Sequence, residues 1–178
     1  MFNLAPQLLQ FQDPLPNCRQ CDAASSRTLQ GFTMTQGAGD PEAHIVYVTD
    51  PANDMCGMTG EPVPQYEQDF IAAIHSAACE DIRAVHNADL PYAVLPVVGC
   101  PASCLKAHGL TRASVRCSSR IRSFIEQLNP VLIVALHKET VPIVQPCGIV
   151  VAISGVYVHS KLSPQDSEAR TVSDVLKI

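Results

Sequence analysis

The chain has few charged residues and no long apolar segment. Only 16% of its 178 residues are charged, and the formal net charge is −5. An acidic total argues against a protein whose whole surface binds nucleic acid, although a local basic face remains open. No apolar run approaches the roughly 20 residues of a membrane span. The segment from Met1 to Gln12 also lacks the basic start and long apolar stretch of a signal peptide. We therefore expect an intracellular protein, cytoplasmic or nucleoid-associated, without a membrane partner.

Internal repeats and low-complexity tracts are also absent from the sequence. Hydrophobic residues make up 47% of the chain, enough to bury a core, and the length suits one domain over residues 1–178. Residues 24–43, rich in Ser, Thr, Gly and Gln, are predicted to be loop with one short strand. The hydrophobic pattern predicts strands at 45–48, 92–98, 131–136 and 149–153, and helices at 66–80, 112–128 and 166–176.

Strands that alternate with helices predict a three-layer α/β/α sandwich with a central, mainly parallel sheet. The run from Val131 to Leu136 is continuously apolar, as in a strand buried on both faces. Ligands of such sheets bind at the carboxyl ends of the strands. We therefore expect the polar loops after Val48, Val98 and Ser154 to converge on a functional site.

Eight cysteines are the richest chemical feature of the sequence. In a reducing compartment they are better explained as metal ligands and core thiols than as disulfides. Cys18 and Cys21 form a two-spacer pair, and Cys100 and Cys117 follow a predicted strand and lie in a predicted helix. Four thiolates suit zinc and an iron–sulfur cluster equally well, and four unconnected core cysteines are the alternative.

Cys104 is a rival to Cys100, because Cys100-Pro-Ala-Ser-Cys104 is also a plausible chelating pair. The remaining cysteines, Cys56, Cys79 and Cys147, have no partner at metal-binding spacing. We expect these three to pack in the core.

The order of these motifs resembles that of the family-4, iron–sulfur uracil-DNA glycosylases. The matching features are Cys18 with Cys21, the strand 45–48, Gly60-Glu61-Pro62, Cys100 with Cys117, and the apolar run 128–136. The resemblance covers most of residues 18–162. It implies a uracil-DNA glycosylase-like fold and a [4Fe-4S] cluster on Cys18, Cys21, Cys100 and Cys117, with zinc as the alternative.

The resemblance also implies an active site that has diverged. Asp50 would orient water and offset the positive charge that develops on the sugar, and His159 would donate to the leaving base or to a phosphate. Leu162 would fill the gap left by a flipped nucleotide. The uracil-reading Asn and the stacking aromatic residue of the family are replaced by Pro96 and Val63. His137 replaces a glycine, and Ser160 replaces a proline.

A basic stretch accompanies the second cysteine pair. Between Pro101 and Ile125 there is no acidic residue, and there are five basic ones: Lys106, Arg112, Arg116, Arg120 and Arg122. Spacing of four along a helix would place Arg112, Arg116 and Arg120 on one side, where they could contact successive phosphates. An ordinary solvated helix face and an acidic patch on a partner protein are the alternatives.

Together these features predict an iron–sulfur DNA-binding protein of the uracil-DNA glycosylase superfamily, with weakened or lost uracil excision. One alternative is a non-catalytic replication or repair accessory subunit that binds a DNA polymerase, because a fold does not fix a function. Another is an active base-excision glycosylase, and a third is a zinc-stabilised structural domain.

Overall fold

A computed structural model gives the architecture of the protein, and it describes residues 9–10, 18–19, 21–80, 83, 90–105 and 110–152. The predicted helix at 166–176, His159, Leu162 and Lys106 lie outside these residues, as does the side chain of Arg112. The strands within them are β1 (Leu9–Gln10), β2 (Ala38–Gly39), β3 (Ile45–Thr49), β4 (Tyr92–Pro96), β5 (Leu132–Ala135) and β6 (Val150–Ala152). The helices are α1 (Asp22–Leu29), α2 (Asp54–Thr59), α3 (Gln65–Ala78), α4 (Leu110–Leu128) and α5 (Val141–Val144).

The strands form one mixed sheet in the order β1-β2-β4-β3-β5-β6. The four strands β4, β3, β5 and β6 are parallel neighbours, with Val48 opposite Leu95 on one side and Ala135 on the other. The short strands β1 and β2 are antiparallel. The predicted α/β class with a mainly parallel sheet is therefore confirmed.

The central strands are buried on both faces, which explains their continuous apolar sequences. Alternate residues of β3 point to opposite faces. Val46 and Val48 belong to a core cluster with Ile121, Phe124 and Ile125 of α4, and Ile45 and Tyr47 to a second cluster with Phe70, Ile71 and Ile74 of α3. These two clusters place α4 and α3 on opposite faces of the sheet.

The helix and strand ends follow local chemistry. Asn53 caps α2 by accepting a hydrogen bond from the Cys56 backbone N–H at 3.0 Å. Helix α4 ends before Asn129, which has a φ of 45°, and Pro130 follows. Strand β4 ends at Pro96, because proline cannot continue the ladder as a donor; the sequence had predicted the strand to reach residue 98.

The segment 24–43 differs from its prediction as loop. Its first part is helical, since α1 covers Asp22–Leu29. The small residues Ala23 and Ala24 and the side chain of Arg27 are buried, and Ala23 packs in the same cluster as Cys100 and Cys104. Tertiary packing therefore overrides the weak helix propensity of this Ser- and Thr-containing stretch.

Candidate functional site

The connections of the sheet create a topological switch point between β3 and β5. The chain leaves β3 for β4 on one side, whereas it leaves β5 for β6 on the other side. Crevices at the carboxyl ends of such a strand pair are the usual ligand sites of parallel sheets. Asp50 is the first residue after β3, and His137 lies two residues after β5. The switch point therefore holds one carboxylate and one imidazole.

Asp50 and His137 contact each other, and we call them the Asp50–His137 pair. Nε2 of His137 lies 3.2 Å from Oδ2 of Asp50, and their side chains are 22% and 36% exposed, respectively. The loop after β5 is held by Thr140, which donates to the His137 carbonyl from its backbone N–H at 3.0 Å and from its hydroxyl at 2.7 Å. The pair is thus anchored, and both side chains are partly exposed at the carboxyl edge of the sheet.

The surroundings of Asp50 oppose its ionisation. Burial raises the pKa of the Asp50 carboxyl, His137 lowers it, and the exposed Glu139 raises it again. Its Oδ1 atom is buried and has no hydrogen-bond partner within the described part of the chain. A buried carboxylate oxygen without a partner is costly, so this position is not explained by stability.

The four predicted cysteine ligands come from three separate segments. Cys18 and Cys21 precede α1, Cys100 follows β4, and Cys117 lies within α4. All four are free thiols; Cys100 is buried and the others are half-buried. Cys21 and Cys117 pack against the core cluster that contains Cys100. We call these four residues the cysteine site.

The thiols of the cysteine site act on one another's pKa. Burial raises the pKa of Cys100 to about 12, Arg27 lowers it, and Cys117, Cys21 and Cys104 raise it further. Burial also raises the pKa of Cys117; a Gly99 backbone hydrogen bond and Arg120 lower it, and Cys18 and Cys21 raise it. Within the described ranges, no three Cys, His, Asp or Glu side chains form a group that could hold a metal ion.

Arg27 brings a positive charge to the cysteine site. Its side chain is only 7% exposed, and its Nη2 donates to the Cys18 carbonyl at 3.1 Å. The Arg27 Nε is buried and has no hydrogen-bond partner among the residues that the structure describes. A buried guanidinium with a spare donor, beside several thiols, is suited to an anionic group.

Cys104, the predicted rival of Cys100, has different surroundings. Its sulfur accepts a hydrogen bond from Nε2 of Gln30 at 3.9 Å. Hydrogen bonds from Ser103 and Ser26 lower the pKa of the thiol, against a larger increase caused by burial. Cys21 and Cys117 raise the pKa of Cys100, whereas Cys104 responds to Ser103, Ser26, Asp54 and Arg27, although both thiols lie in the same core cluster. Cys56 and Cys79 are buried as expected, and Cys147 is half-buried against the core.

The two residues that replace the family's uracil-reading groups are part of the core. Val63 is fully buried in the cluster on the α3 face. Pro96 is buried at the end of β4, and its carbonyl accepts a hydrogen bond from Arg120 at 3.3 Å. Neither residue offers a side-chain hydrogen bond to a base edge.

The predicted basic face of α4 requires a correction. Arg116 and Arg122 are exposed, whereas Arg120 is 2% exposed. Arg120 donates to the Pro96 carbonyl and, at 2.9 Å, to the Thr35 carbonyl, and it lies 5.1 Å above the Phe124 ring. The prediction that Arg120 contacts phosphate is therefore wrong. Successive residues at a spacing of four rotate around the helix, and Arg120 has rotated into the core.

The sequence does not identify His137 and Arg27 as residues of the site. The resemblance marks His137 only as a substitution for glycine, although a polar residue directly after a buried strand is the same signal that identifies Asp50. Arg27 lay in a segment predicted to be loop, so its burial had no signal. Family models and curated proteins offer no match to this chain. No helix in the described part of the chain is long and apolar enough to cross a membrane.

Proposed function

We propose that this chain is an iron–sulfur DNA-binding protein of the uracil-DNA glycosylase superfamily, with weakened or lost uracil excision. The observation that carries the proposal is that Cys21 and Cys117, from separate segments, pack against the core cluster that contains Cys100. Cys18, Cys21, Cys100 and Cys117 are separated along the chain but influence one another's charge in the fold. The parallel α/β sheet, with polar residues at its switch point, is compatible with this superfamily.

The chemistry of four thiolates suits an anionic iron–sulfur cluster, although within the described ranges these thiols do not form a group close enough to hold a metal ion. Four thiolates are the usual ligands of a [4Fe-4S] cluster, and each binds a different iron, so they stand farther apart than the ligands of one zinc ion. The unpartnered Nε of buried Arg27 supplies a donor for the negative charge of such a group. A Gly99 backbone hydrogen bond supports the thiolate of Cys117. When bound, the cluster would join the N-terminal segment to α4 and could exchange electrons.

Close approach at Gly99 explains why a glycine precedes Cys100. A Cβ at this position would lie 2.7 Å from the Met34 side chain and 3.2 Å from the Arg120 guanidinium. A larger residue would therefore have to displace the Met34 side chain or the Arg120 guanidinium.

Support for DNA as the partner comes from α4. Arg116 and Arg122 are exposed on the helix that carries Cys117. No acidic residue lies between 101 and 125, and the first one after them, Glu126, is one helical turn from Arg122. Such cations suit phosphate contacts, which bind DNA without reading its sequence. A cluster bound to Cys117 would fix the position of this helix.

The expectation of weakened uracil excision follows from Val63 and Pro96. A site that hydrogen-bonds the edge of a base can discriminate by about 10⁴–10⁵, whereas an apolar wall cannot. Burial of both residues in the core leaves these positions without a base-reading group.

Anaerobic purification followed by metal analysis and DNA titration tests the proposal. We expect a brown protein with about four irons per chain that binds single- or double-stranded oligonucleotides in a salt-dependent manner. Replacing both Arg116 and Arg122 with alanine should lower the slope of log affinity against log salt by about two and leave the iron content unchanged. A colourless protein with one zinc per chain would contradict the proposal. Iron-loaded protein that does not bind DNA would also contradict it.

A further inference from the structure

A cavity of about 480 Å³ lies at the C-terminal end of α1, and we call it the α1 cavity. Its walls are the last turn of α1, the segment that follows, and Arg19. Arg19, Thr28 and Thr33 are exposed, so the cavity opens to solvent, whereas Arg27 and Met34 are buried. Within the described part of the chain, no cysteine and no acidic residue lines it. The α1 cavity is therefore distinct from the cysteine site, although Arg27 contacts both.

We propose that the α1 cavity binds the phosphate group of a nucleotide, with Arg27 and Arg19 as the anion-binding residues. The site goes beyond the function proposed above, because it involves neither the cysteine ligands nor the exposed arginines of α4. Pockets for small organic ligands have volumes of roughly 300–1,000 Å³, and the α1 cavity lies in this range. A ligand that fills it therefore carries an organic part in addition to a phosphate.

Unused donors on Arg27 are the main support for this site. The side chain is only 7% exposed, and neither Arg27 nor Arg19 pairs with a carboxylate among the described residues. An arginine has five N–H donors, and the structure shows one of them in use, from Nη2 to the Cys18 carbonyl. The buried Nε has no hydrogen-bond partner within the described ranges. A buried charge without a counter-ion is unfavourable, so an anion in the cavity would stabilise this arrangement.

The arginine donors are numerous enough for two anions. With one N–H of Arg27 on the Cys18 carbonyl, four remain for a cluster on the cysteine site and for a ligand in the α1 cavity. Arg19 adds a second guanidinium at the exposed mouth of the cavity. A phosphate monoester carries close to two negative charges at neutral pH, which match these two cations.

The two threonine hydroxyls of the cavity do not supply donors to a ligand. The Thr28 hydroxyl donates to the Ala24 carbonyl at 3.0 Å, and the Thr33 hydroxyl donates to the Gly57 carbonyl at 2.8 Å. A hydroxyl has a single proton, so both groups can only accept further hydrogen bonds. The C-terminal end of a helix also disfavours an anion. The attraction for phosphate therefore depends on the arginine side chains.

Phe32 and Met34 give the α1 cavity an apolar wall. The turn that ends α1 fixes the path of the chain here, because Gly31 has a φ of 71° and donates to the Thr28 carbonyl at 3.2 Å. The Phe32 N–H donates to the Arg27 carbonyl at 3.0 Å. An aromatic ring in the same cavity as a guanidinium suits a nucleotide, whose base can stack while its phosphate pairs with the cation.

Calorimetric titration of the full-length protein, purified anaerobically, tests the proposal. The probes are a purine and a pyrimidine nucleoside 5′-monophosphate, the same nucleosides without phosphate, inorganic phosphate, and acetate. We expect at least one monophosphate to bind more tightly than inorganic phosphate, and the nucleosides and acetate not to bind. Arg19→Ala and Arg27→Lys should each lower the affinity for that monophosphate by about 10–100-fold, as the loss of a charge-assisted hydrogen bond requires.

Three further variants and measurements separate binding from folding. Arg83→Ala removes an arginine that lies outside the cavity and donates to Ser76, so the affinity should not change. Phe32→Leu should weaken the binding of the monophosphate but not of inorganic phosphate, because only the aromatic ring is lost. Iron content and thermal melting of Arg19→Ala should match the unmodified protein, since Arg19 is exposed. If Arg27→Lys does not fold, Arg19→Ala decides the test.

Oligonucleotides identify the source of the phosphate. Tighter binding of a 5′-phosphorylated strand than of its 5′-hydroxyl form, with the difference lost in Arg19→Ala, would support the proposal and assign the site to a DNA end. Equal binding of the two strands, beside a monophosphate that binds, would support it for a free nucleotide.

The outcomes that overturn the proposal do not depend on the proposed function. Failure of both monophosphates to bind would overturn it, and so would an unchanged affinity in Arg19→Ala and Arg27→Lys. Equal affinities for inorganic phosphate and the monophosphates would overturn it as well. Protein that binds a monophosphate but holds no iron, or does not bind DNA through α4, would contradict only the proposed function.

Discussion

At the scale of single residues, Asp50 contributes a pH-dependent cost to stability. Burial and Glu139 raise the pKa of the Asp50 carboxyl by more than His137 lowers it. The folded protein therefore binds the Asp50 proton more tightly than the unfolded chain does. A group whose pKa is raised on folding lowers stability as the pH rises above its unfolded value. The cost therefore grows as the pH rises from the ordinary pKa of aspartate through the raised value in the folded protein, and it disappears in acid.

We expect Asp50→Asn to melt at a higher temperature than the unmodified protein at pH 7, by a few degrees at most. The difference should shrink as the pH falls towards the ordinary pKa of aspartate, about 4, and vanish below it. Thermal melts between pH 3 and pH 8 measure this. Destabilisation by Asp50→Asn at pH 7 would instead mean that the contact with His137 holds the loop in place.

The buried ring of His75 provides a second prediction. Its Nε2 lies 2.8 Å from the Leu90 carbonyl, which can only accept, so this nitrogen carries the proton. Nδ1 must then accept the hydrogen bond from the Tyr47 hydroxyl at 3.1 Å. Tyr47→Phe removes that donor from a fully buried site, and we expect a loss of about 1–3 kcal/mol in the free energy of unfolding.

Urea unfolding measures this change, and Tyr66→Phe is the matched control. Tyr66 is 50% exposed at the start of α3. Tyr66→Phe should therefore change the free energy of unfolding by no more than about 0.5 kcal/mol. Equal effects of the two substitutions would contradict the assigned hydrogen bond.

Single residues of the site can be predicted from the sequence, whereas their pairing cannot. Asp50 is identifiable because it follows an apolar strand, and His137 carries the same signal. Their pairing is not identifiable, because it depends on which strands are neighbours. Register between β3 and β5 joins residues more than eighty positions apart, and no local pattern specifies such a pairing.

At the scale of elements, α4 shows which features a periodic pattern predicts well. Apolar residues at helical spacing and the Asn129-Pro130 stop predicted residues 112–128, and the helix spans Leu110–Leu128. The inward face of Ile121, Phe124 and Ile125 is confirmed by burial. The pattern failed at Arg120, because a long cationic side chain can be buried when backbone carbonyls at its end accept its protons.

Arg120 therefore serves as a structural tie between α4, β4 and the segment that contains Thr35. Arg120→Ala leaves the buried carbonyls of Pro96 and Thr35 without their charged donor, and we expect a loss of about 3 kcal/mol in stability. Arg122→Ala, on the exposed side of the same helix, should change stability by less than about 0.5 kcal/mol. Chemical denaturation of the two variants measures the contrast. A mild effect of Arg120→Ala, equal to that of Arg122→Ala, would contradict the burial of Arg120.

At the scale of the whole molecule, the cysteine site links distant parts of the chain. The family resemblance implies four cysteine ligands, whereas cysteine spacing alone leaves Cys100 and Cys104 as rivals, because both follow β4 closely. Both lie in the same core cluster in the fold. The difference that favours Cys100 is that Cys21 and Cys117 act on its pKa, whereas Cys104 contacts Gln30. The identity of the bound group depends on chemistry outside the chain, so the sequence leaves zinc and iron open.

A cluster on these cysteines would close a loop of about 80 residues between Cys21 and Cys100, and closing such a loop removes on the order of 4 kcal/mol of chain entropy from the unfolded state. Metal binding and folding should therefore be coupled. We expect Cys100→Ala and Cys117→Ala to lose iron and DNA binding together and to become protease-sensitive. Cys104→Ala should keep its iron, and so should Cys79→Ala, the matched control in the α3 core.

Iron content per chain, visible absorbance and limited proteolysis of these four variants measure the coupling. Cys79 is fully buried, at 0% exposure. Its replacement by alanine therefore costs packing energy without removing a predicted ligand. If Cys79→Ala is less stable but keeps its full iron content, the loss of a buried thiol does not by itself release iron. Iron loss in the other variants would then report the loss of a ligand. If Cys104→Ala loses its iron while Cys100→Ala keeps it, the second ligand pair is wrongly assigned. The alignment that places Pro96 at the uracil-reading position, counted from Cys100, would then fail with it.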